Sequence, residues 1–170
     1  MTSSRKVAGA WLRRIAEKDR HDEMLYVAVF LSPMERQTLI KRFGQKHPEL
    51  HAHHMTIWFY KDGDPPFELA DLPLGKTIPL KIVGYVEDEQ AQVVIVQPPS
   101  KFRPMSGRTA HITISTEKGV LPAYANALIE KARDAGEARK GFPSLGGKMG
   151  WWDGRRERYD VPVNPVIPLR

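Results

Sequence analysis

The chain has 170 residues, 41% of them hydrophobic and 27% charged. That composition fits one compact domain with a sizeable core and excludes a large multidomain machine or wholesale disorder. No apolar run approaches the roughly 18 residues of a membrane span, and the absence of cysteine excludes a disulfide framework, thiolate metal sites and a cysteine nucleophile. A net charge of +6, from 26 Lys and Arg against 20 Asp and Glu, favours anionic partners.

In chain order, Met1 to Lys18 carry a basic amphipathic pattern without the continuous apolar stretch of a signal peptide, so residues 1–20 are expected to form an N-terminal helix docked on the domain. Leu25 to Leu31 are too short for a core helix and rich in strand formers. Ser32, Pro33 and Glu35 then make a capping box with proline at the first helical position, followed by Leu39, Ile40 and Phe43 facing the core and Gly44 as a stop. His53 to Tyr60 reads as a second strand, ending in the turn signal of Asp62, Gly63, Pro65 and Pro66. Ile78 to Val86 and Ala91 to Val96 read as a hairpin turning at Glu87 to Gln90. A loop with Pro98, Pro99 and Pro104 leads to a strand over Ala110 to Thr116, and helical spacing returns over Pro122 to Asp134. Residues 136–170 are a Gly, Pro and Arg-rich tail in which Tyr159 to Leu169 is expected to form an edge strand. This order predicts a single α+β domain over residues 1–170 rather than a doubly wound sheet.

One short pattern occurs twice. His54-Met55-Thr56-Ile57 is matched, 57 positions later, by His111-Ile112-Thr113-Ile114. Residues two apart in a strand share a face, so His54, Thr56, Trp58 and Tyr60 are expected on one side and Met55, Ile57 and Phe59 on the other. The same parity groups His111, Thr113 and Ser115. Two imidazoles and two hydroxyls converging on a wet cleft suit a phosphodiester. One neutral imidazole takes a proton, the other as imidazolium gives one, and the hydroxyls bond the non-bridging oxygens. The scheme needs no metal or cofactor. His51, His53 and His54 have a metal-like spacing, but no aspartate follows where a binuclear metallohydrolase needs one. His53 is expected to pack on the face away from the cleft.

These paired motifs resemble those of the two-histidine (2H) phosphoesterase superfamily. The run His53-His54-Met55-Thr56-Ile57-Trp58-Phe59 is especially similar to the cyclic phosphodiesterase-like domains of RNA repair ligases. The resemblance implies two pseudo-symmetric lobes, antiparallel sheets around a central groove and helices packed outside. It also implies that His54 and His111 are the acid and base, with Thr56 and Thr113 on the phosphate. The expected substrate is an RNA 2′,3′-cyclic phosphate end. Cyclic di- and trinucleotide messengers, cleaved by phage proteins with similar motifs, are the alternative, and a non-catalytic module that binds RNA ends is a third reading. Many bacterial members carry an arginine shortly after the second motif, whereas Ser115, Thr116 and Glu117 stand here. Arg108 or an arginine of the tail is left to contact the phosphate.

Trp151-Trp152-Asp153-Gly154-Arg155-Arg156 combines aromatic surface with positive charge, as a base-stacking lip does. Trp151 there reads better as a core plug, while Trp152 and Arg155 are candidates for substrate contact. Tyr26 and Trp58 are further stacking candidates. Lys101, Arg103 and Arg108 form a basic loop feeding the second motif. The expectation is a cytoplasmic monomer acting on RNA ends or cyclic oligonucleotides, with no membrane partner.

Overall fold

The computed structural model describes residues 23–133, 142–162 and 167–168; the expected N-terminal helix lies outside them. Within them the chain is α+β. Eight strands form one antiparallel sheet: β1 (Tyr26–Leu31), β2 (Glu49–Leu50), β3 (His54–Phe59), β4 (Thr77–Glu87), β5 (Ala91–Gln97), β6 (His111–Thr116), β7 (Ser144–Trp152) and β8 (Glu157–Arg158). Helix α1 (Pro33–Phe43) follows β1, and α2 (Tyr124–Arg133) follows β6. The strand order is β2-β6-β5-β4-β7-β1-β3, with β8 paired to β7.

The local signals act as their chemistry requires. Ser32 Oγ accepts the Glu35 amide at 3.2 Å, a cap that stabilises α1 by about 1 kcal/mol. Gly44 ends the helix at φ 73° and donates its amide to the Ile40 carbonyl. At the β4–β5 turn, Asp88 Oδ1 accepts the amides of Gln90 and Ala91, which holds the hairpin closed.

The tail departs from its expected form. Tyr159 to Leu169 supplies no edge strand among the described residues. The tail's main contribution is β7, which lies at the middle of the sheet between β4 and β1. Its glycines obscure the alternation that marks a strand, yet the packing demands them. A Cβ on Gly147 would lie 2.6 Å from Val29 Cγ1 and 2.7 Å from the Phe30 carbonyl oxygen, and one on Gly150 would lie 2.6 Å from the Arg158 carbonyl oxygen.

The main core joins Val27, Val29 and Leu31 of β1 to Met55 and Ile57 of β3, Ile112 and Ile114 of β6, and Met149 and Trp151 of β7. A smaller cluster seats Ala125, Leu128 and Ile129 of α2 on Ala91 and Val93 of β5.

The connection from β2 to β3 links the two ends of the strand order. The amides of His51 and Ala52 donate to the carbonyls of Ile114 and Thr113 on β6, whereas one residue later the His53 carbonyl accepts the Leu31 amide of β1. The change of partner falls at Ala52, which is fully buried at φ 45°, the only positive φ among the described non-glycine residues. Such a conformation costs about 1–2 kcal/mol. It is held by the pairings on either side.

Overpacking a well-filled core costs about 1–3 kcal/mol. Gly147→Ala is therefore expected to lower unfolding stability by that amount, as measured by urea denaturation, whereas an alanine at exposed Glu49 is expected to be near neutral.

Candidate active site

Because the chain crosses from β6 to β1 at Ala52, the two His-x-Thr strands lie beside one groove. The groove has a volume of about 600 Å3, and its walls include His54 and Thr56 of β3 and His111 and Thr113 of β6. That volume lies within the ~300–1,000 Å3 common for small-ligand sites.

The two strands share a further feature. In the β1–β3 ladder Val27 faces Trp58 and Ala28 faces Thr56, so Ile57 is an extra residue. In the β5–β6 ladder Gln92 faces Ser115 and Val93 faces Thr113, so Ile114 is the extra residue. Each motif therefore ends in a bulge at its isoleucine, and a bulge inverts the faces of all residues beyond it.

The inversion corrects the expected parity. Trp58 is 1% exposed in the core and donates its indole N–H to the Gly63 carbonyl, so it is not a stacking surface. Phe59 lines the groove instead. On β6, Ser115 turns inward to donate to Gln92 Oε1 at 2.7 Å. Thr116 Oγ1 meets His51 Nε2 at 2.9 Å.

The aromatic side of the groove comes from β1 and β7. Tyr26 stacks on His54 with ring centroids 4.7 Å apart, and Trp152 lies parallel to Tyr26 at 6.0 Å. Tyr26 is paired with Trp152, and Val27 with Trp151. Adjacent tryptophans thus face opposite sides: Trp151 is fully buried, with its indole N–H on the Asp160 carbonyl, while Trp152 lines the groove.

Arg108 is at the groove. Arg155 is not: it stands exposed in the turn after Trp152, with its backbone amide on Asp153 Oδ1. Lys101 rests over the Phe102 ring, and Arg103 lines a separate depression.

Several groove residues escaped the sequence reading, Arg36 and His53 among them. Arg36, on the first turns of α1, lines the groove, donates from Nη2 to the His51 carbonyl at 3.0 Å, and keeps a buried Nε that finds no hydrogen-bond partner among the described residues. An arginine on a helix carries no motif, and only the docking of α1 reveals its position. His53, expected on the far face, also reaches the groove. Its Nδ1 is 3.0 Å from His54 Nδ1, and its Nε2 is 2.8 Å from Glu157 Oε1.

Electrostatics keep both motif histidines neutral near pH 7. Burial, reinforced by His53, His111 and His51, holds the His54 imidazole down to about 3 from its usual 6.5. Burial also lowers His111, with the Arg108 cation in the same direction and the Thr109 carbonyl opposing. A carbonyl only accepts, so His111 Nδ1, 2.9 Å from the Thr109 oxygen, carries a proton and leaves Nε2 free. Among the described residues, no group of three or more His, Asp or Glu is disposed to hold a metal ion.

No family model and no curated protein matches the chain. Among solved structures it is similar to a fungal RNA kinase, with a TM-score of 0.47 and 13% identity. The match covers 82% of this chain and 43% of that one, so the chain spans less than half of that protein's length. A likeness this distant says nothing about the chemistry of the groove.

The depressed His54 value has a sign in folding. The unfolded chain binds a proton below about 6.5 that the folded site refuses until about 3, so stability falls as pH drops through that window. Urea denaturation at pH 5 and 7 is expected to show this loss. His54→Asn is expected to flatten it by up to about 1.4 kcal/mol per pH unit.

Proposed function

We propose that the protein is a metal-independent phosphodiesterase of the 2H type, built as two pseudo-symmetric lobes, that hydrolyses a nucleotide cyclic phosphodiester. RNA 2′,3′-cyclic phosphate ends are the preferred substrate. The observation that carries this reading is the groove itself. It gathers two histidines and two threonines from matching strands, with Arg36 and Arg108 for an anion and Tyr26 and Trp152 for a base.

In this reading one imidazole removes a proton from water as the oxygen attacks phosphorus, and the other protonates the departing ribose oxygen. The hydroxyls of Thr56 and Thr113 donate to the non-bridging oxygens, where negative charge rises. Arg36 has an unused buried N–H, and an anion near it satisfies that group and offsets the cation. An empty groove with neutral histidines lacks a general acid. Bound phosphate supplies the missing condition, because its negative charge raises the imidazole pKa and draws in a proton.

The experiment is hydrolysis of cyclic-phosphate-ended oligonucleotides, run beside cyclic di- and trinucleotides, in EDTA. His54→Ala and His111→Ala are each expected to lower kcat by about 10²–10⁴, and unchanged turnover in both sinks the assignment. Trp152→Ala is expected to raise KM by roughly 5- to 150-fold, the loss of one stacked base, while Trp58→Phe alters stability and leaves KM unchanged. Calorimetry in buffers of different ionisation enthalpy is expected to show proton uptake on nucleotide binding near pH 7.

A further inference from the structure

Behind His54 a chain of hydrogen bonds leads out of the groove. His53 connects His54 to Glu157 through its two ring nitrogens, and Tyr159 donates its hydroxyl to the other carboxylate oxygen, Glu157 Oε2. A carboxylate only accepts, so a neutral His53 carries its proton on Nε2 and its Nδ1 is an acceptor. His54 must then donate from Nδ1, which leaves a lone pair on Nε2. If His53 gains a second proton, on Nδ1, the bond reverses: His54 Nδ1 must accept and its Nε2 carries the proton. The state of His53 therefore dictates whether His54 offers the groove a base or a donor. His111 Nδ1 lies instead on the Thr109 carbonyl, which holds it in one arrangement.

This chain ends in a second cavity of about 480 Å3, lined by His53, Glu157, Tyr159, Lys148, Glu35 and Arg36. His53 borders both cavities, and its side chain and that of Glu157 are each 30% exposed. Phe30 and Trp152 each lie edge-to-face with the His53 ring, with centroids at 5.4 and 5.8 Å. Glu157 is the carboxylate in contact with it, and Lys148 and Arg36 face the same cavity.

We propose that His53 and Glu157 are positioning residues that hold His54 as the general base and carry its proton away from the groove into the cavity behind it. This rests on the hydrolytic reading above. As the water oxygen bonds to phosphorus, its proton passes to His54 Nε2. The Nδ1 proton of His54 moves to His53 Nδ1, and the Nε2 proton of His53 moves to the Glu157 carboxylate. One proton has travelled from water to Glu157, both imidazoles end neutral, and the departing ribose oxygen takes its proton from protonated His111. Solvent then removes the proton from Glu157 and returns one to His111, and the imidazoles regain their starting tautomers as His54 Nε2 releases its proton to solvent, His53 Nδ1 returns its proton to His54 Nδ1 and His53 Nε2 takes one from solvent. Burial makes a lasting imidazolium at His54 unfavourable, and the relay relieves that charge as it forms.

The test reads tautomers as well as rates. Long-range ¹H–¹⁵N spectra of the full chain, recorded at several pH values above neutrality, are expected to show His54 with its proton on Nδ1. His53→Leu removes the acceptor and is expected to abolish this preference. In Glu157→Gln the amide oxygen still accepts, so the His54 tautomer persists, but the proton has nowhere to go. Both variants are expected to lower kcat at least about tenfold with KM little changed. His54 protonated on Nε2 throughout, or wild-type rates in both variants, overturns the relay. Hydrolysis that needs His54 and His111 yet ignores His53 and Glu157 overturns the relay alone. The expected tautomers with no hydrolysis of any phosphodiester overturn the enzymatic reading and the general-base role with it.

Discussion

The arrangement depends on one change of hydrogen-bonding partner. Between Ala52 and His53 the backbone leaves β6 and joins β1, and each buried amide and carbonyl must find a partner wherever the chain goes. A sheet with strand order β2-β6-β5-β4-β7-β1-β3 would otherwise hold its two motif strands far apart. The switch links those ends through a single short segment, and a strained alanine is tolerated because pairings on both sides fix it. The groove follows from that closure.

Much of this was legible in the sequence, and the exceptions have physical causes. β1, α1, the β4–β5 hairpin and β6 are short apolar or well-capped segments whose local preferences agree with their place in the fold. β7 was hidden because the property that marks a central strand, a run of bulky side chains, is what its neighbours forbid at Gly147 and Gly150. Trp58 was misplaced because alternation assumes an unbroken ladder, and a bulge leaves no trace in hydrophobicity. The histidines and threonines themselves precede the bulges, so their shared face could be read correctly. Arg36 and His53 depend on contacts distant in sequence: His53 and Glu157 are 104 positions apart.

The electrostatic character of the groove is set by desolvation more than by net charge. The chain carries an excess of cations, but its motif histidines are pushed toward neutrality chiefly by burial, His54 also by the neighbouring histidines and His111 by Arg108. Fixed positive charge comes from two arginines, whose guanidinium groups stay protonated whatever the surroundings. A site so arranged separates two tasks that a cluster of ionised histidines would confuse. The arginines attract the anion at any working pH, and the imidazoles remain free to exchange protons.

The central position of β7 has a consequence for how the chain assembles. It is the last long strand in sequence, yet it separates β4 from β1. During synthesis β1 with β3, and β4 with β5 and β6, emerge earlier as two sets with adjoining unpaired edges. Among the described strands, β2, which lies between β1 and β3 in sequence, pairs with β6 and so also ties the two sets together. Such non-local closure is intrinsically slow, and open strand edges invite pairing with other chains while it waits. The strand that joins the two sets also delivers Trp152 to the groove, so the stacking surface is completed by the same event that completes the sheet.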